Sequence, residues 1–199
     1  MPLIRKPEGN TPKTQEEMSP PDLSLRSPHA EARWAAARVA TDLAEIAPAL
    51  DAETDPRVRE ALLTALSRLA TPAAAEAVIP LLREDDAEVR AAALDALRAM
   101  PEAVRDLLPA LLADPDPDVR LLSCEIARSL GADAAPLLAA RLAVEGEANV
   151  CAAAIDALAE IGDADILPAV ASCAARFPAD PFLGFAARIA AQRIGAPRG

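Results

Sequence analysis

The side chains able to do chemistry in this chain are few and poorly spaced for catalysis. His29 is the single histidine, Cys124, Cys151 and Cys173 are the only cysteines, and tyrosine is absent. A nucleophilic triad needs a base beside its serine or cysteine, and a zinc site needs closely spaced Cys or His pairs. Neither pattern occurs, and no glycine-rich segment reads as a phosphate loop. The acid-rich turns lack the regular oxygen spacing, internal glycine and closing Glu of a helical calcium loop. His29 reads as a solvated residue at a helix start, and the cysteines read as structural. No catalytic, metal-binding or cofactor-binding residue is assigned, and no cofactor is expected.

What remains is a pattern suited to binding. Asp95, Glu125 and Asp156 recur at one position of a repeating unit, each directly after an apolar or thiol side chain: Leu94, Cys124 and Ile155. Leu63 holds the same place one unit earlier. Arg98 and Arg128 follow Asp95 and Glu125 at the i,i+3 spacing of helical ion pairs, which are worth only a few tenths of a kcal/mol on a surface. On one face these residues would form a groove, with Leu63, Leu94, Cys124 and Ile155 as an apolar floor. Asp95, Glu125 and Asp156 would be its acidic wall, suited to a basic amphipathic peptide. Trp34, the only tryptophan, is a candidate interaction anchor, or packs against the N-terminal leader.

The elements that must position these residues are helices. Counting from Val119, apolar or small residues fall at Leu122, Ser123, Ile126, Ala127 and Leu130, one face at 3.6 residues per turn. The same spacing starts at Ala32, Val58, Val89, Val150 and Leu183, so the period is 26 to 33 residues. Such self-similarity marks a helical repeat array. Pro48, Pro80, Pro109, Pro136 and Pro168 sit inside the intervening apolar runs, which predicts a bent partner helix in each unit. With these prolines come an acidic residue and a Val-Arg pair: Glu53 with Val58-Arg59, Glu84 with Val89-Arg90, Asp114 with Val119-Arg120. On these residues the chain resembles the HEAT-repeat family, and within it the short bacterial form named after phycobilisome lyases. The resemblance implies an all-α, right-handed α-solenoid of about six two-helix HEAT-like repeats over residues 28–199. It also implies that Arg33, Arg59, Arg90 and Arg120 tie one repeat to the acid of another. Cys151 and Gly184 stand where the last two arginines would be.

Composition narrows the function. The net charge is -11, and residues 1–27 contribute none of it, so the repeat body is acidic. Such a surface repels phosphates and anionic lipid, so nucleic acid and membrane are not expected partners. No apolar run approaches a membrane span and no signal-peptide core is evident, which points to a cytoplasmic protein. Residues 1–27, rich in proline, read as a disordered leader, with Ser27 capping a first helix at Pro28. Phe177, Phe182 and Phe185 cluster near the end and read as a cap on the open core, or as a partner-binding patch. The function expected is non-enzymatic: a scaffold or assembly module docking a protein or peptide in a concave groove. The lyase resemblance implies an alternative, an accessory or catalytic subunit acting on a bilin or other tetrapyrrole. Against it stands the shortage of His, Tyr and Trp to hold a pigment.

Overall fold

The helices begin where short polar side chains satisfy the free N–H groups of a first turn. Asp55 accepts from the backbone N–H groups of Arg57 and Val58 at 2.9 and 3.2 Å, and Asp116 accepts from Asp118 at 2.9 Å. Asp42, Asp86 and Asp180 do the same for the helices they precede, and Thr71 caps another through the Ala74 N–H. The acid-rich turns are therefore helix caps, where the helix dipole also favours negative charge.

The structure, a computed structural model, describes residues 24–195. Its α-helices are α1 (Ala30–Val39), α2 (Leu43–Ala52), α3 (Pro56–Leu69), α4 (Pro72–Val78), α5 (Ala87–Arg98) and α6 (Pro101–Val104). They continue as α7 (Leu108–Leu112), α8 (Pro117–Leu130), α9 (Ala135–Val144), α10 (Ala148–Ile161), α11 (Leu167–Arg176) and α12 (Pro181–Gly195). The long helices α1, α3, α5, α8, α10 and α12 stack each on the next, forming an inner layer. The remaining segments form an outer layer, in which α2 meets α4, α4 meets α6, α7 meets α9 and α9 meets α11. This is an all-α solenoid, and the core lies between its two layers.

The predicted core face is the observed one in the central repeats. Val58, Leu62, Leu66, Leu97, Val119, Ile126, Val150 and Leu158 are at most 1 % exposed. Each such aliphatic side chain contributes roughly 1.5–3 kcal/mol by leaving water. Ala65, Ala93, Ala127 and Ala157 are fully buried among them, and their small size lets neighbouring helices approach closely. The first unit departs from the pattern. The main neighbour of α1 is α3, so α1 buries Ala36 and Ala37 and leaves Val39 exposed.

The prolines break the outer helices rather than bend them. Only Pro48 lies inside a continuous helix, α2. Pro80 falls in a 3-10 turn, Ile79–Arg83, that continues α4. Pro109, Pro136 and Pro168 stand in the first turns of α7, α9 and α11; short 3-10 turns, Gly131–Ala134 and Ala164–Ile166, lead into the last two. A proline lacks the N–H and clashes with the carbonyl four residues back, so it fits a first turn without loss. The N-terminal boundary also shifts. α1 starts at Ala30, and Ser27 accepts the His29 N–H at 3.3 Å from just outside it. Ser24–Ser27 makes a turn, with Ser27 buried and Leu25 packed on the core. The rest of the expected leader, residues 1–23, lies outside the described residues.

Candidate functional site

The apolar floor expected from Leu63, Leu94, Cys124 and Ile155 is not a surface. Leu63 is 4 % exposed, and Cys124 and Ile155 are fully buried; only Leu94 is half-buried. These residues sit five positions after each anchor, on the helix flank nearest the ladder arginines. When inner helices stack, the neighbouring helix covers that flank, so a position polar by helical-wheel reasoning becomes core.

The carboxylates do line the outward side of the inner helices, but they are bridged. Arg98 lies 3.7 Å from Asp95. Arg128, on α8, reaches Glu125 at 3.3 Å on its own helix and Asp156 and Glu160 on α10 at 2.5 and 2.6 Å. Arg193, on α12, adds a longer contact to Asp156 at 3.8 Å. Burial works against the charge on Arg128, and the carboxylates around it more than offset that, raising its pKa. Glu125 and Asp156 of the predicted acidic wall are thus joined across repeats by one guanidinium, while Asp95 meets only Arg98 of its own helix.

The arginine ladder ties the turns together. Arg33, Arg59, Arg90 and Arg120 each donate to a backbone carbonyl six residues earlier, at 2.7–3.0 Å. Arg33 also grips Glu53 through two bonds of 2.8 and 2.9 Å, and Arg120 grips Glu145 at 2.9 and 3.0 Å. Where Cys151 interrupts the ladder, Arg176 on α11 takes over. It donates to the carbonyls of Leu142, Ala143 and Glu145, and the Cys151 thiol faces the last of these at 3.8 Å. Sequence reasoning missed Arg176. The only signal was an arginine ending an outer helix beside a gap in the ladder.

Open clefts recur between consecutive inner helices. One, of about 530 Å³, lies between α1 and α3 beside Trp34; a second, of about 510 Å³, lies between α3 and α5 beside Thr64 and Asp95. The third, of about 480 Å³, lies between α10 and α12. Its base is Ala152, Ala153 and Ala159, and Phe182, Phe185 and Ile189 form its wall. Phe182 and Phe185 are 67 % and 52 % exposed, so they do not cap the core; Leu183, Ala190 and Ile194 do, with Phe177 packed against them.

Residues 43–123 match the family profile for HEAT repeats. Over those residues the chain carries HEAT-like repeats. Among solved structures it is similar to two engineered proteins from the Northeast Structural Genomics Consortium. The first is 22 % identical with a TM-score of 0.42, over 85 % of this chain and 93 % of that one. The second is 21 % identical at 0.44, over 87 % and 96 %. A designed armadillo repeat protein is 16 % identical at 0.44, over 86 % and 97 %. No curated protein matches the chain.

Within this repeat array the cysteines belong to the core. Cys124 and Cys151 have their thiols pushed up to about 12, chiefly by burial; Cys173 adds to this at Cys151 by a side-chain hydrogen bond. Thiolates are the reactive form, so neither is a nucleophile at neutral pH. A disulfide-exchange reagent is expected to label none of the three cysteines in the folded protein and all three in denaturant, counted by absorbance. Fast labelling of the folded chain would show the core to be open there. His29 is exposed at the start of α1. Among the described residues no group of His, Cys, Asp and Glu could hold a metal ion, and no helix is long and apolar enough to cross a membrane.

Proposed function

We propose that this protein is a non-enzymatic interaction scaffold, and that a segment of another protein docks along its inner-helix face. One observation carries the reading: clefts recur at the same register between α1 and α3, α3 and α5, and α10 and α12. An extended or helical segment laid across stacked helices would meet these clefts in turn, as ligands of repeat proteins do. Leu94, Asp95, Arg98, Glu125, Arg128 and Asp156 form the middle of this face, while Leu63, Cys124 and Ile155 support it from beneath. The alanine-floored cleft beside Phe182 and Phe185 takes an apolar anchor from the partner. A purely basic partner is disfavoured in the middle, because it would have to displace Arg128 from Asp156 and Glu160. There the charges set register more than attraction. A cytoplasmic setting belongs to the same proposal.

The test begins with a partner captured from native lysate and then measured by titration calorimetry. Phe182→Ser combined with Phe185→Ser removes the anchor site without touching the core, since both rings are exposed. Melting should change little, and affinity should fall by about tenfold or more, the usual loss on removing an aromatic hot spot. Should this variant and an Asp95→Asn, Asp156→Asn variant both bind as wild type does, the inner-helix face is not the docking surface. A shifted absorbance band on mixing with a bilin would overturn the scaffold reading in favour of tetrapyrrole chemistry.

A further inference from the structure

The cleft between α1 and α3 differs in kind from the rest of the face. Its centre is Trp34, half-buried on α1, with the Arg57 guanidinium carbon 3.9 Å from the ring centre and that of Arg38 4.7 Å away. Arg68 lines the same cleft, against a single carboxylate, Glu60. Arg57 pairs with Glu31 at 2.8 Å, but both are well exposed, and such surface pairs are weak. Arg38 and Arg68 have no ion pair among the described residues; Arg68 makes only a long 3.4 Å bond to the Ala40 carbonyl. Two guanidiniums therefore lie over one indole, and a third, Arg68, lines the same cleft nearer Ala40, in a chain whose net charge is -11. Arginines spread over such a protein would have acids as nearest neighbours, as Arg98, Arg105 and Arg128 do. Here three of them line one open cavity.

We infer that this cleft binds an acidic segment of a protein partner, its carboxylates held by Arg38, Arg57 and Arg68 and an adjoining stem packed on the Trp34 ring. The inference rests on the inner-helix face being a docking surface and adds the chemistry of what docks at its N-terminal end. Guanidiniums already held over an indole, as those of Arg38 and Arg57 are, are preorganised forks for carboxylates. The remote negative charge of the chain is screened within a Debye length of about 8 Å at physiological salt, so the local arginines govern a bound carboxylate. A nucleic acid strand fits less well. Past Thr64 the face continues into Asp95, Glu125, Asp156 and Glu160, which would repel a track of phosphates.

The chain reports on this cleft directly, because Trp34 is its only tryptophan and it has no tyrosine. The full-length protein is titrated with a synthetic peptide of alternating Glu and Leu while indole emission is followed. The isosteric Gln-Leu peptide and an oligothymidylate are run in parallel. A saturable emission change with the Glu peptide alone is the expected result. Arg38→Gln with Arg68→Gln should weaken it by about tenfold or more, with unchanged circular dichroism and melting, since Arg38 and Arg68 are exposed. No response to the Glu peptide, an equal response to the Gln peptide, or tighter binding of the oligothymidylate would each overturn the inference. The two readings fail separately. If the Phe182, Phe185 variant loses its captured partner while the Glu peptide is inert, only the acidic specificity falls. If the cleft answers the peptide but partner binding ignores every face variant, the docking face falls instead.

Discussion

Val119→Asp should abolish the cooperative thermal transition or lower its midpoint by well over ten degrees. Val119 is fully buried at the start of α8, which packs between α5 and α10 in the centre of the stack. A carboxylate there has no cationic partner and no water, and burying it costs on the order of 4–5 kcal/mol even after relaxation. Domains of this size are stable by only about 5–15 kcal/mol, so the loss is a large share of the total. A solenoid makes the position worse. Each repeat is held by its neighbours alone, so disrupting a central one uncouples the units on either side. Circular dichroism melting measures the effect, and Val119→Ala is the control, with an expected cost of about 2 kcal/mol. A Val119→Asp protein melting within two or so degrees of wild type would mean that the inner-helix register is wrong.

Removing the charge of Glu145 should destabilise the protein nearly as much, and in a way that depends on pH. Glu145 is 2 % exposed. Its carboxylate accepts from Arg120 at 2.9 and 3.0 Å, from Arg141 at 2.7 Å, and from the backbone N–H groups of Gly146 and Glu147 at 3.0 Å. Burial pushes its pKa up, but these donors more than offset it and hold the group at about 2, against an ordinary 4.5. A carboxylate whose folded pKa is depressed contributes stability above its unfolded pKa and loses it as pH falls through the folded one. The window is therefore about pH 4.5 down to 2, and the contribution at neutral pH is roughly 3 kcal/mol. Glu145→Gln keeps the shape but leaves two arginines facing each other without a counter-charge, which costs about 3–5 kcal/mol. Denaturant unfolding at pH 7 and pH 3 is the measurement. Wild type should lose stability between them, and the Gln variant should lose markedly less. Equal pH slopes for the two proteins would show that Glu145 does not carry the linkage.

Glu145 also shows how far the sequence reaches. An acid five residues before Val58, Val89 and Val119, and an arginine directly after each, are visible in the chain; that Arg120 takes Glu145 of the next repeat as its partner is seen only in the fold. Arg141, four residues before Glu145, is a helical neighbour legible from spacing. Arg176 is not, because it enters from the next outer helix to fill the place left by Cys151. The same division runs through the candidate site. Counting along helices puts Asp95, Glu125 and Asp156 at one position of successive inner helices, where Asp95 and Asp156 are exposed and Glu125 is half-buried. The bridging of Asp156 and Glu160 by Arg128 joins α8 to α10 across 28 and 32 residues, which no local spacing shows.

The sequence by itself determined the inner helices after the first, the Asp caps of α3, α5, α8 and α12, and the core face of each central repeat. These depend on interactions within one or two turns, where 3.6-residue periodicity and side-chain-to-backbone bonds leave their mark on neighbouring letters. Only the tertiary structure decided that Leu63, Cys124 and Ile155 are core and that Phe182 and Phe185 are exposed. It also decided that Arg38 and Arg57 lie over Trp34 and that Arg68 lines the same cleft. Each of these depends on which flank of a helix its neighbour covers, and that is set by how repeats about thirty residues apart stack, a packing angle and distance that no local pattern encodes.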